Sequence, residues 1–325
     1  MTIQQSGTTR AEPATPSVAI VIPCYNEEAV LTVTAERMTE IVRDLQARGV
    51  VSQHSSINFV DDGSRDATWR LIEQLAEGNP LIRGIKLSRN RGHQNALMAG
   101  LMTVEGDVTI SVDADLQDDL GAIEAMILKF REGCEVVYGV RNRRDTDTFF
   151  KRITAEGYYK VLAAVGVDVV FNHADYRLLG RAVIEALREF KEVNLFLRGI
   201  IPQLGFKSDV VMYDRQERFA GESKYPLGKM LSLAWNGMTS FSSMPLRWIT
   251  IAGTIISFLS FGIGIWALII GLFSNRVLPG WASTVIPMYF LGGVQLLSLG
   301  VIGEYVSKIY LETKRRPRFI IEKRV

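Results

Sequence analysis

The stretch DVTISVDADLQDD, residues 107–119, opens as a β-prone run with Val108, Ile110 and Val112 at alternate positions and closes in a burst of carboxylates. Such a run reads as a buried strand that delivers Asp113 and Asp115 at its C-terminal edge. Side chains at i and i+2 of an extended chain point to the same side, so these two carboxylates are expected to converge. Two hard anionic ligands side by side suit Mg2+ or Mn2+, and such a cation usually arrives with a phosphate ligand. The plainer reading of an isolated D-x-D is an acidic turn that caps a helix beginning near Asp118. The rest of the chain chooses between them.

Upstream, Ser17–Ile22 (SVAIVI) is a continuous apolar run ending at Pro23, as expected of a buried parallel strand. PCYNEE follows it, and residues 29–48 then show helical spacing. The pattern repeats: strand Ser56–Val60, polar turn DDGSRDAT, helix Thr68–Glu77; strand Leu81–Leu87, loop SRNRGHQ, helix Asn95–Val104; strand Asp107–Val112, helix Leu120–Arg131. Strand Glu135–Val140, a basic and aromatic helix over 148–165, the segment NHADYRLL (172–179), helix Arg181–Phe190 and a final strand Val210–Arg215 complete the cytoplasmic part. This alternation predicts an α/β fold with a mainly parallel, Rossmann-like sheet and helices on both faces. Ligands of such sheets bind at the carboxyl ends of the strands. Three of those ends carry YNEE, DDGS and DADLQDD, and their convergence on one edge argues for a site.

The 325 residues carry a net charge of only +2, which gives no electrostatic case for nucleic acid. Two cysteines, Cys24 and Cys134, make no disulfide framework, and the three histidines show no metal spacing. Residues 1–16 lack an apolar core and read as a disordered tail rather than a signal peptide. The hydrophobic mass lies at the other end. No charge occurs between Arg247 and Arg276, or between Arg276 and Glu304. Each run exceeds the about 20 residues needed for a span, so 247–303 is expected to form a two-helix transmembrane hairpin, preceded by an amphipathic juxtamembrane helix over 227–246. Residues 304–325 hold seven Lys/Arg against three Glu, a basic tail that places both termini and the catalytic part in the cytoplasm.

VAIVIPCYNEE (18–28), NFVDDGSRDAT (58–68), ISVDADLQDD (110–119) and RFAGESKY (218–225), in this order, resemble the family-2 glycosyltransferases of GT-A fold. With a membrane hairpin behind them, they resemble the polyprenyl-phosphate sugar transferases of bacterial inner membranes. The bactoprenol (undecaprenyl-phosphate) glucosyltransferases look closest, with dolichol-phosphate mannose synthases more distant. The resemblance implies a hexosyltransferase using UDP-glucose and undecaprenyl phosphate, with mannosyl transfer or a non-catalytic scaffold as rivals. A downstream flippase and self-association through the glycine-bearing second span are further partners it leaves open. No Q-x-x-R-W segment occurs, which argues against a processive polysaccharide synthase.

By this resemblance Pro23, Tyr25, Asn26, Glu27, Asp61 and Asp62 would bind the nucleoside, with Pro23 stopping the strand ladder. Asn26 as a helix cap is the plainer alternative. Asp113, Asp115 and Gln117 would hold Mg2+ or Mn2+ against the donor diphosphate, leaving Asp118 and Asp119 to cap the next helix. Arg141, Arg152, Arg177, Arg218, Ser223 and Lys224 are the expected acceptor-phosphate contacts, because guanidinium forks match phosphate. Asp175 would stand near the reacting centre. A phosphate monoester is largely dianionic near neutrality, with a second pKa of about 6, so Asp175 is expected either as a base or as a carboxylate that orients Arg177 or Arg141.

Overall fold

The computed structural model describes residues 15–142, 173–193, 195–214, 244–273 and 280–325. The basic helix expected over 148–165, with Arg152, the loop carrying Arg218, Ser223 and Lys224, and the expected amphipathic helix lie outside the described residues.

Among the described residues, eight strands form one sheet: β1 (Val18–Cys24), β2 (Ser56–Asp61), β3 (Ile82–Leu87), β4 (Val108–Ser111), β5 (Val136–Arg141), β6 (His173–Gly180), β7 (Ser208–Tyr213) and β8 (Ile321–Arg324). Their order is β7-β5-β6-β4-β1-β2-β3-β8. The neighbours β4, β1, β2 and β3 are mutually parallel, as the alternating pattern predicts. Two strands depart from it. β6 runs antiparallel between β4 and β5, and β8 runs antiparallel at the β3 edge.

All seven β1 residues are buried, which explains its unbroken apolar run. Val18, Ile20 and Ile22 share one cluster with Leu31, Met38 and Val42 of helix α1 (Leu31–Ala47) and with Ile123 and Met126 of α4 (Ala122–Arg131). On the other face, Val21 and Val60 press on Gly100 of α3 (His93–Thr103), where a Cβ would come within 2.4 Å of Val21. Helix α2 (Thr68–Gly78) packs beside α1 over β3, and α5 (Arg181–Glu189) and α6 (Leu197–Gln203) follow β6.

Pro23 does not end the strand on both sides. The β1–β2 register continues through Pro23↔Val60 and Cys24↔Asp61, whereas the β1–β4 register ends at Val21↔Ser111. Val21 accepts from Val112 and Cys24 from Asp62, so by alternation Pro23 faces the β4 side. Its missing N–H therefore falls where β4 has already left the sheet.

The tail expected only as a basic extension contributes β8. Residues 317–325 group with the sheet. Val325 exchanges both backbone hydrogen bonds with Gly84, Lys323 pairs with Glu73 at 2.6 Å, and Lys86 pairs with Glu322 at 3.1 Å. Four residues, three of them charged (IEKR), give little sequence signal for a strand, and here the exposed β3 edge supplies the pairing.

The second compact unit holds α7 (Met244–Phe273) and α8 (Trp281–Thr313). Both are long and apolar enough to cross a membrane, with the apolar windows at Met244–Ile263 and Phe290–Thr313. At 30 and 33 residues they exceed the about 20 that a span requires. The second helix runs on to Thr313 rather than ending at Gly303.

Candidate active site

Because the strand order reverses about β1, the crevice between β1 and β4 is where ligands of an open α/β sheet bind. At the end of β1, Tyr25 is 40% exposed while Pro23 is buried in the sheet. Asn26 does not cap α1. It adopts a left-handed conformation (φ 55°), its N–H donates to Ser64 Oγ at 3.0 Å, and its Oδ1 accepts from Arg65 N–H at 2.9 Å. Glu27 N–H donates to Thr68 Oγ1. PCYNE is thereby stitched to the turn after β2.

In that turn the two aspartates divide. Asp61 Oδ1 accepts from Ser64 N–H, while its buried Oδ2 has no hydrogen-bond partner, and burial pushes its pKa up. Asp62 has both oxygens engaged, by Arg91 N–H at 2.7 Å and Gly92 N–H at 2.8 Å. It fastens the loop after β3 and so carries a structural load not expected of a nucleoside ligand. Gly63 lies between them with φ +68°, and a Cβ there would come within 2.6 Å of the Arg89 and Asn90 backbone. Only glycine fits.

Hydrogen-bonded β4 stops at Ser111, and Ala114–Leu116 is a turn with Leu116 left-handed (φ 56°). The extended-strand argument for these two carboxylates thus fails in form. Val112, Ala114 and Leu116 are buried, and Asp113 and Asp115, which alternate with them, are half-buried. Thr34 Oγ1 of α1 donates to Ala114 O at 2.9 Å, and Gln117 N–H donates to Asp115 Oδ1 at 3.2 Å. Gln117 itself is buried. Burial, reinforced by neighbouring carboxylates and opposed by His93, pushes Asp113 up to about 6.

Antiparallel β6 brings its N-terminal end to the same edge, because Ser111 is the register partner of Arg177. Asp175 is clamped by two arginines: Arg177 Nη2 bonds Oδ1, and Arg198 reaches Oδ1 with Nε at 3.3 Å and Oδ2 with Nη2 at 3.1 Å. Burial alone would raise the Asp175 pKa, but the guanidinium groups outweigh it and hold the carboxyl well below its usual range. Arg177 is 1% exposed. Arg177, expected as an acceptor-phosphate contact, is tied to Asp175 through Nη2, while its Nε and Nη1 have no hydrogen-bond partner.

Two members of this cluster are not among the residues the sequence singled out. His93 Nε2 lies 3.5 Å from Asp113 Oδ1 and 3.9 Å from Asp175 Oδ2, and Arg198 comes from the short α6. RGHQ ends the loop after β3, so the strand-end rule that selected YNEE, DDGS and DADLQDD applies equally to His93. Arg198 leaves no such signal.

Asp118 is not a helix cap. Helix α4 begins at Ala122 with Gly121 as its N-cap and no side-chain cap, so Asp119 does not cap it either; Asp119 Oδ1 accepts from Gly121 N–H at 2.9 Å in the preceding turn. Asp118 is buried and accepts from Arg141 Nη2 at 3.3 Å and from the Tyr213 hydroxyl.

Among the described residues no three His, Cys, Asp or Glu side chains form a cage for a metal. The donor set does fit a hard divalent cation that brings its own oxygen ligands. Asp113 and Asp115 are half-buried carboxylates, and Asp113 Oδ1 is the enclosed oxygen, without a hydrogen-bond partner.

Residues 19–188 match the model of glycosyltransferase family 2, "Glycosyl transferase family 2". A Bacillus subtilis protein described as "uncharacterized glycosyltransferase YkoT" is 50% identical over 309 residues, 94% of this chain and 91% of that one. The chain belongs to glycosyltransferase family 2. The bactoprenol glucosyl transferase of Shigella phage SfX is 39% identical over 308 residues, 94% of this chain and 99% of that one. Among solved structures, the mannosyltransferase PcManGT from Pyrobaculum calidifontis in complex with GDP-Man and Mn2+ is 16% identical. It covers 92% of this chain and 86% of its own at a TM-score of 0.46. The transferase has the GT-A fold, a mixed, mostly parallel sheet with helices on both faces, followed by two apolar helices that could form a hairpin.

Proposed function

We propose that this transferase moves a hexose, glucose from UDP-glucose, to the phosphate of undecaprenyl phosphate at the cytoplasmic leaflet, with inversion at C1. The observation that carries the reading is the 39% identity to a named bactoprenol glucosyl transferase over 94% of the chain. A likeness of that extent takes in the catalytic sheet together with the apolar helices that suit a membrane-held acceptor. The site chemistry agrees. Tyr25 offers an exposed ring for the base, and Asp61 Oδ2 is a buried acceptor awaiting a donor hydrogen bond. Asp113 and Asp115, with Gln117 beside them, would hold Mg2+ or Mn2+. Such a cation neutralises charge on the departing diphosphate. Arg141, half-buried at the edge, together with Arg152, Arg218, Ser223 and Lys224, is assigned to the acceptor phosphate. Asp175 orients its arginines and stays ionised beside the reacting groups.

The test is UDP release by the full-length protein in nanodiscs, with a panel of nucleotide sugars and undecaprenyl phosphate. Release that requires both the lipid phosphate and a divalent metal, with UDP-glucose preferred, supports the reading. Absence of release with every donor, or release indifferent to the lipid, refutes it.

A further inference from the structure

β5 and β7 run parallel, and their last rung pairs Arg141 with Tyr213. Their side chains meet Asp118 in a closed triangle. Arg141 Nη2 donates to Asp118 Oδ1 at 3.3 Å, Arg141 Nε donates to the Tyr213 hydroxyl oxygen at 3.2 Å, and that hydroxyl donates to the same Asp118 oxygen. Burial and the Asp118 charge push the Tyr213 phenol well up, so it keeps the proton it donates. The depths differ. Asp118 and Tyr213 are 2% and 3% exposed, whereas the Arg141 side chain is 26% exposed. Two buried groups thus fix a cation from beneath while leaving part of it at the sheet edge.

The support beneath is itself packed and hydrogen-bonded. Tyr176 packs edge-on to Tyr213 with centroids 5.3 Å apart, and its hydroxyl donates to Asp119 O at 3.0 Å. Asp118 directly follows Gln117 and lies three residues after Asp115, so one short loop carries both the carboxylates assigned to the donor and the anchor of an arginine assigned to the acceptor.

We propose that Asp118 and Tyr213 are positioning residues that hold the Arg141 guanidinium in its phosphate-binding orientation, so that the metal-bearing loop also builds the acceptor site. A fork held by Asp118 and Tyr213 needs less ordering when the phosphate arrives, and this preorganisation acts on acceptor affinity. The inference rests on the acceptor-phosphate role given to Arg141 above.

The experiment is a double-substitution cycle in the full-length protein, with initial rates at varied acceptor and saturating donor, and the reverse. Tyr213→Phe, which keeps the ring and its packing, is the mild variant; Asp118→Asn is the stronger one, and Arg141→Ala the reference. Expected are rises in KM for lipid phosphate of about threefold to tenfold for Tyr213→Phe and more for Asp118→Asn, with donor KM unchanged. In the Arg141→Ala background both effects should vanish. If Tyr213→Phe leaves acceptor KM unchanged, or if its effect persists undiminished without Arg141, the positioning role is overturned. If Arg141→Ala itself spares acceptor KM while the protein remains active, the assignment of Arg141 fails, a separate result from failure of the anchor. Should Asp118→Asn not fold, the Tyr213→Phe arm decides alone.

Discussion

Replacing Asp175 by Asn should unfasten the centre of the site, by an amount the geometry bounds. Its partner Arg177 is 1% exposed and Asp175 itself 13%, so water cannot replace the lost charge. Breaking a buried ion pair by neutralising one partner costs about 3–5 kcal/mol, and an amide that still accepts one hydrogen bond places the loss near the lower end. Arg198 differs. It is 33% exposed, so Arg198→Ala should cost about 1 kcal/mol or less after solvent screening. Hydrogen–deuterium exchange of peptides spanning β4 and β6, measured on the full chain in nanodiscs, reads this directly. A loss of about 3 kcal/mol corresponds to roughly a hundredfold faster exchange where the segment opens cooperatively. Arg198→Ala should change it by about fivefold at most. Equal exchange in Asp175→Asn and the parent protein would refute the claim that the pair holds the site together.

Other expectations follow from the same geometry. Asp115→Ala or chelation of divalent metal should each lower UDP release by roughly a hundredfold or more, checked by turnover at saturating donor. Gly63→Ala should destabilise the catalytic unit by at least about 1 kcal/mol, read as a fall in melting temperature, since a Cβ would collide with the Arg89–Asn90 backbone at a positive φ. Because the arginines depress the Asp175 pKa, its stabilising contribution is fully present above the unfolded value of about 3.9 and is lost only as pH falls through the lower folded value. Asp113 acts the other way: its pKa, raised to about 6, makes the folded state take up a proton in this range before the unfolded chain does, so protection of β4 and β6 against exchange, corrected for intrinsic rates, should rise rather than fall between pH 7 and 5. Deleting residues 317–325 should bare the β3 edge and promote aggregation, seen as loss of the monodisperse peak in size-exclusion chromatography.

The parallel core was legible because its signal is local: VAIVI, INFV and VTIS are short, β-prone, mainly apolar segments buried on both faces, and each is followed by a polar cluster. The edge where the site lies followed from that alternation, and it brought YNEE, DDGS and DADLQDD together as expected. What escaped depends on partners distant in sequence. NHADYRLL shows no direction of travel, yet its antiparallel run is what seats Asp175 and Arg177 beside Ser111. IEKR becomes a strand only because β3 offers an open edge. Asp118 and Asp119 are indistinguishable as text, and only their partners separate a buried anchor, met by Arg141 and Tyr213, from a turn residue bonded to Gly121.

The state of Asp175 bears on the chemistry as well as on stability. A general base works best with a pKa near the operating pH, whereas two guanidinium groups hold this carboxyl below even the ordinary carboxylate range. As a proton acceptor it is poor. A sugar hydroxyl acceptor would need a strong base at this position, but a phosphate monoester near neutrality has already lost its second proton, with a pKa of about 6. Such an acceptor asks for orientation and charge balance rather than deprotonation. The clamp therefore favours an acceptor that arrives ionised, and it gives Asp175 a task that Asn can mimic in shape but not in charge. If the substitution abolished turnover while leaving exchange protection intact, proton abstraction by Asp175 would have to be restored to the mechanism, and the case for a phosphate acceptor would lose its support from this residue.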